Sequence, residues 1–269
     1  MNADHYFEIG SSHRVCQDYA LSGVKENLAY AIVSDGCSGA IHSEIGAQIL
    51  CHAAKYYIEL YHNSSLFQST GIETLLKVLG KSILQKADEL RKGYVIDPAA
   101  LQATLLIAIF SGNRRLIFGW GDGVIIEDYG PMGKIITEID FESNAPYYLA
   151  TNPDSYAAKF SETHVKHRIW IKDSLTEEEW PYNTFYMQEL HRSWSGPTLL
   201  SITLCSDGIK SYQDEKKKPI ETLSMIPQFI DYPDYKGPFV QRNMNFLKRS
   251  MEKQKWSHHD DISSACIAL

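Results

Sequence analysis

Two hydrophobic periods alternate along this chain in an order that few folds accommodate. From residue 5 to 35 the pattern is that of strands: "HYFEIGSS", "YALSGV" and "AYAIVSD", with a hairpin turn at "KEN" between the last two. From Ser43 to about His62 the period becomes helical. Ile45, Ile49, Ala53, Tyr57 and Tyr61 fall on one face, and Ser43 is the expected N-cap. A second amphipathic helix is predicted over 71 to 91, with Leu75, Leu76, Leu79, Ile83, Leu84, Ala87 and Leu90 as its apolar stripe. Strands return as "ATLLIAIF", "LIFGWGD", "VIIEDYG" and "KIITEID". After a stretch from 141 to 198 with several prolines and few clean periods come the strand "TLLSITLCSD", helices near 219 to 230 and 239 to 255, and a last strand, "ISSACIAL". Strands, two helices, strands, two helices, strand is not the βαβα alternation of a parallel sheet. The pattern predicts an antiparallel, layered α+β domain spanning residues 1–269, with a flap or insertion at about 141–198.

Within that frame, acids recur where strands end. They are Asp18 in "CQDY", Asp35 in "VSDG", Asp122 in "GWGDGV", Asp207 in "CSDG", and Asp260 and Asp261 in "HHDDIS". Asp-Gly alone is a common turn dipeptide. Three such pairs, each after a run of apolar strand residues, fit buried carboxylates at sheet ends better than surface hairpins. Carboxylates that converge without lysine or arginine repel one another, and the usual remedy is a hard divalent cation with oxygen ligands, Mg²⁺ or Mn²⁺.

Other function classes are disfavoured. A net charge of -7 argues against a nucleic-acid binder that neutralises phosphates broadly. The N-terminus has no basic region followed by an apolar run, and the longest apolar run, "LLIAIF", is far too short to cross a membrane. Five cysteines without C-x-x-C spacing fit a reducing compartment, so a cytoplasmic location is expected and a structural zinc site is not. Cys205 and Cys266 read as core thiols, and lining the site with exposure to oxidation is the lesser of the readings open to Cys16 and Cys37. "LGKS" at 79–82 lacks the first glycine of a phosphate-binding loop and lies mid-helix. His258 and His259 read either as an exposed loop pair or as contacts to a metal ligand.

Taken in order, the motifs "GSSHRVCQD", "VSDGCSGA" with "SEIGAQ", "QATLLIAIF" with "FGWGDG", "LCSDGI" and "DDISSACIAL" resemble those of the metal-dependent protein phosphatases of the PP2C family. They are most similar to a bacterial branch with Ser-His near the N-terminus followed by Cys-Gln-Asp. They span residues 10 to 269. The resemblance implies a four-layer αββα sandwich of two antiparallel sheets flanked by helices, with two Mn²⁺ or Mg²⁺ ions at one end. It implies that Asp35 bridges both metals, that the Gly36 carbonyl binds one, and that Asp207 and Asp260 bind the other. Asp18 would hold a metal-bound water, and Asp122 matches the strand end where an occasional third ion sits.

The chain departs from the family pattern at three places. The position five residues before Asp18, commonly a phosphate-binding arginine, is His13, with Arg14 beside it. Neighbours on an extended strand face opposite ways, so His13 or Arg14 is expected to bind substrate phosphate. A family histidine after the Asp-Gly is Cys37, and the usual Ser-Arg after Gly-Asp is Gly123-Val124. The expected activity is hydrolysis of phosphoserine and phosphothreonine in proteins, by a monomer acting opposite a cognate Ser/Thr kinase. Two alternatives stand beside it: a catalytically silent PP2C-like binding or regulatory module, and a two-metal hydrolase of small phosphoesters.

Overall fold

The computed structural model describes residues 1–141, 146–151, 163–171, 174–182, 186–190 and 198–269. Its strands, in chain order, are β1 (Asn2–Glu8), β2 (Asp18–Lys25), β3 (Leu28–Asp35), β4 (Leu105–Ser111), β5 (Arg114–Trp120), β6 (Gly123–Asp128), β7 (Lys134–Phe141), β8 (Thr163–Ile171), β9 (Ser174–Tyr182), β10 (Tyr186–Glu189), β11 (Ser201–Cys205), β12 (Tyr212–Gln213), β13 (Ser257–His258) and β14 (Ile262–Ala268). The α-helices are α1 (Ser43–Tyr61), α2 (Ser65–Ser69), α3 (Ile72–Gly93), α4 (Thr222–Ile230) and α5 (Phe239–Gln254).

Two antiparallel sheets form the centre. One runs β1-β14-β11-β6-β7-β8-β9, the other β10-β5-β4-β3-β2, and β12-β13 is a separate two-stranded ribbon. Both faces of the central strands are apolar because each sheet is covered twice. Side chains such as Ala31, Val33, Leu106, Ile125, Leu204 and Ile267 fill the space between the sheets. Ile32, Ile107 and Phe118 point outward to meet Leu50, Ala54 and Ile83 from α1 and α3. On the far side Ile126, Cys205 and Cys266 meet Phe229, Met244 and Leu247 from α4 and α5. The order of layers is therefore helix, sheet, sheet, helix, the αββα sandwich the motifs implied. Burying both faces explains why strands such as "LLIAIFS", all seven residues of it buried, read as continuous apolar runs.

Local differences from expectation have physical causes. Ser43 is not the N-cap of α1. His42 holds that position in the left-handed region (φ 59), and Ser43, the first helical residue, is buried with its hydroxyl accepting from Gln17 Nε2 at 2.9 Å. Helix α2, only five residues long, is too short to show a helical period; Ser64 caps it by accepting from the Phe67 N–H. Part of 141–198 extends the larger sheet as β8 and β9, and β10 joins the smaller. The remainder of the expected flap, residues 142–145, 152–162, 172–173, 183–185 and 191–197, lies outside the described residues. Gly80 of "LGKS" packs in the middle of α3 against Trp120. Among the described residues no helix is long and apolar enough to cross a membrane.

Candidate active site

Five acids reach one end of the sandwich from five separate segments. Asp18 opens β2 and Asp35 closes β3, and the two are register partners. Asp35 is clamped through its backbone: its N–H donates to Thr104 Oγ1 at 2.9 Å, and its carbonyl accepts from the Thr104 N–H at 2.8 Å. Asp122 sits at the β5–β6 turn between Gly121 (φ 97) and Gly123 (φ 143), conformations that side-chain-bearing residues rarely adopt. Asp207 begins a single 3₁₀ turn after β11. Gly208, next to it, lets that turn close on the last motif, since a Cβ there would lie 1.7 Å from the Asp261 carbonyl oxygen. Asp260 comes from the β13–β14 loop.

These segments enclose a cavity of about 270 Å³ whose wall includes His13, Asp35, Gly36, Asp122, Asp207 and Asp260, with Gln17, Cys37, Ser38, Thr104, Pro146 and Tyr148 completing it. Asp18 stands behind the wall, buried, with Oδ2 accepting from Ser263 Oγ at 2.7 Å. Of the two basic candidates, His13 lines the cavity and the neighbouring Arg14 is exposed and absent from its wall. The two lie in a turn between β1 and β2, not on the extended strand expected for them, and the His13 N–H donates to the Gly10 carbonyl.

Crowding controls the electrostatics. Burial pushes the Asp35 carboxyl well above the ordinary carboxylate range, and the charges of Asp18, Asp207 and Asp122 push it the same way. Burial, reinforced by Asp207, likewise raises Asp18, although hydrogen bonds from Ser206, Ser263 and Asp35 partly offset it. Asp122 is pushed up to about 7 by burial and then by Asp207, and Asp260 rises for the same two reasons. The charge of Asp207 thus acts on each of the other four.

The donor set suits a hard cation. Oδ1 of Asp18 and Oδ1 of Asp207 are buried without a hydrogen-bond partner, a costly state that a bound cation relieves. Four aspartates line the cavity, with the hydroxyl-bearing Ser38, Thr104 and Tyr148 beside them. No three His, Cys, Asp or Glu side chains among the described residues form a ready coordinating group, so the carboxylates surround the cavity instead of closing a cage.

Sequence reasoning missed the part played by Asp261. It is 2% exposed; its Oδ1 accepts from the Gly10 N–H at 2.7 Å, and its Oδ2 accepts from the Gln17 N–H at 2.6 Å and lies 3.0 Å from His13 Nδ1. It ties the N-terminal loop to the last motif and backs His13. The doubled acid in "HHDD" was the available signal, but nothing in it distinguishes the exposed member from the buried one. Tyr148 was hidden in the unreadable stretch. Its hydroxyl is pushed up by burial and by a hydrogen bond with Cys37, and Asp122 and Asp35 add to the effect. Cys16 is held as a neutral thiol: burial, then Asp261 and Asp18, push it up to about 12.

Comparison with known proteins gives one consistent picture. A family model described as Protein phosphatase 2C matches residues 9–250. Among solved structures, PppA, titled a key regulatory component of T6SS in Pseudomonas aeruginosa, superimposes with a TM-score of 0.58 at 13% identity, covering 99% of this chain and 97% of that one. The serine/threonine phosphatase Stp1 from Staphylococcus aureus gives 0.53 at 11% identity over 100% and 95%. The serine-threonine phosphatase 2C from Toxoplasma gondii gives 0.53 at 10% over 99% and 94%. At these identities the structural likeness speaks for the fold. No curated protein matches the sequence.

Proposed function

The chain belongs to the protein phosphatase 2C family, and from that premise we propose that it is a metal-dependent phosphatase that hydrolyses phosphoserine and phosphothreonine in proteins. The observation that carries this reading is the convergence of Asp35, Asp122, Asp207 and Asp260 on one cavity, with unpartnered buried oxygens on Asp18 and Asp207.

In this reading Asp35, the Gly36 carbonyl, Asp207 and Asp260 would hold two Mn²⁺ or Mg²⁺ ions, and Asp122 would serve a third. Bound there, the metals supply Lewis acidity toward the phosphoryl oxygens and lower the pKa of water, so no covalent enzyme intermediate is needed. Asp18 is fixed by Ser263 and presents its free Oδ1 as an acceptor that orients the attacking water. His13, backed by Asp261, offers the substrate phosphate an imidazole N–H donor on a wall that otherwise carries four aspartates. The two backbone hydrogen bonds to Thr104 fix the Asp35 main chain and so preorganise its carboxylate for a cation.

A phosphoprotein is the proposed substrate, and a Ser/Thr kinase acting on the same targets is the proposed counterpart. A monomer, a cytoplasmic location, and the absence of nucleic-acid or membrane partners complete the reading. The deciding experiment compares turnover of a phosphopeptide and of p-nitrophenyl phosphate with Mn²⁺ and with EDTA. Metal-dependent turnover that favours the phosphopeptide supports the proposal. Turnover of small esters alone supports a two-metal hydrolase of small phosphoesters, and none at all supports a silent regulatory module. Activity that survives exhaustive chelation overturns the two-metal mechanism.

A further inference from the structure

The loop that brings Asp260 to the cavity is anchored from behind by charged groups that the proposed chemistry does not use. His258, with a 14% exposed side chain, has Nδ1 2.8 Å from the Asp260 carbonyl oxygen and Nε2 2.9 Å from Glu8 Oε1. A carbonyl and a carboxylate only accept, so both ring nitrogens donate. Glu8 is itself fixed: its Oε2 accepts from Tyr6 at 2.7 Å and from Lys248 of α5 at 2.8 Å. The imidazole packs against Tyr212, ring centroids 5.4 Å apart. Glu8, Lys248 and His258 also line a second cavity of about 150 Å³ beside α5, away from the acidic one.

The contact with Asp260 matters because of where that carbonyl leads. The Asp260 C=O and the Asp261 N–H belong to one planar peptide unit. That N–H donates to Asp260 Oδ1 at 2.9 Å. Pinning the carbonyl therefore fixes the plane, the plane aims the N–H, and the N–H holds the carboxylate. Asp260 needs such support, since its side chain is 40% exposed and its nearest ion-pair partner, His13, is 3.7 Å away.

We propose that Glu8 and His258 are positioning residues that set the Asp260 carboxylate for cation binding by fixing the 260–261 peptide plane. The inference rests on the metal-dependent reading above. Partners that orient metal ligands in this way are worth about 10–100-fold in metal affinity.

The test is Mn²⁺ affinity by calorimetry, with melting temperatures measured in EDTA, for wild type, His258→Asn and His258→Gln. Asparagine carries an amide donor where Nδ1 stands but does not reach Glu8. Glutamine reaches toward Glu8 and leaves the Asp260 carbonyl without its donor. His258→Gln is expected to weaken Mn²⁺ binding about tenfold and His258→Asn no more than about twofold, with similar metal-free melting temperatures for the two. Wild-type affinity in His258→Gln, or equal weakening in both, overturns the positioning role, because a merely structural contact would not separate them. If His258→Gln does not fold, Glu8→Gln carries the test: its neutral amide holds the imidazole less firmly, so weaker Mn²⁺ binding supports the role and unchanged affinity overturns it. Absence of Mn²⁺ binding by the wild type overturns the metal-dependent reading itself, and this inference with it.

Discussion

Asp18 and Asp35 face one another across the β2–β3 ladder, and the charge of Asp18 adds to burial in pushing the Asp35 carboxyl upward. Without a cation the pair is a buried repulsion held in check by protonation. Asp35→Asn is expected to raise the melting temperature in EDTA at neutral pH, by about 1 kcal/mol or roughly 2–4 °C for a chain of this size. It is also expected to lower phosphatase turnover at least about 100-fold, the scale of losing one preorganised electrostatic group. Calorimetric scans with chelator, run beside turnover assays, check both. A lower metal-free melting temperature would mean that the carboxylate stabilises the fold.

Asp207 is the acid whose charge acts on Asp18, Asp35, Asp122 and Asp260 together. Asp207→Asn keeps the shape and one acceptor oxygen but loses the charge that draws a cation in. Added Mn²⁺ stabilises the wild type through binding linkage, about 2.7 kcal/mol at a hundredfold excess over Kd. The variant is expected to show a much smaller shift and little turnover. A melting series over Mn²⁺ concentration decides; equal shifts and near-normal turnover in the variant would make Asp207 an ordinary turn residue.

His13 lines the cavity and Arg14 does not. His13→Ala is expected to raise KM for a phosphopeptide about 10- to 100-fold, the cost of a lost charge-assisted hydrogen bond of about 1.5–3 kcal/mol. Arg14→Ala is expected to change KM less than about twofold, as for an exposed side chain away from the site. Steady-state kinetics on the two variants separate them, and the reverse ranking would move phosphate recognition to Arg14.

Glu8 supplies the pH prediction. Burial alone would raise its pKa, but hydrogen bonds from His258, Lys248 and Tyr6 outweigh this and pull it down to about 2 from an ordinary 4.5. Its charge also acts on Tyr212 of the β12–β13 ribbon and on Cys16, raising both. Because the folded value lies below the unfolded one, the stabilisation is fully present above about pH 4.5 and is lost as pH falls toward 2. Glu8→Gln is expected to destabilise the metal-free protein by on the order of 2 kcal/mol at pH 6, with the gap closing at acid pH. Urea midpoints at pH 6 and pH 3 test this, and a gap independent of pH would show that the carboxylate charge contributes nothing.

How much was legible in the sequence follows the physics of each signal. Asp35, Asp122 and Asp207 announced themselves because each ends a run of apolar strand residues and is followed by glycine. The layered architecture was legible because both faces of the strands are buried, which turns segments such as Leu105–Ser111 into unbroken apolar runs. Side-chain direction was not. Nothing local distinguishes His13 from Arg14 or Asp260 from Asp261, since both choices depend on how residues 10–17 dock against 258–261, about 250 positions away. Nor could the cap of α1 be read, because Ser43 is spent on Gln17 and a left-handed His42 replaces it.

The placement of β14 has a consequence for how the molecule comes into being. It is the last strand in sequence, yet it lies inside the larger sheet, pairing β1 on one side and β11 on the other. Until it emerges during synthesis, those two neighbours present open edges with unpaired backbone groups, and the loop carrying Asp260 and Asp261 has nothing to dock on. Closing the β1–β14 ladder joins the two most distant parts of the chain, the kind of pairing that comes late and slowly in folding. The cavity therefore closes only once β14 has paired with β1 and β11, because that pairing is what brings the loop carrying Asp260 and Asp261 against the other acids.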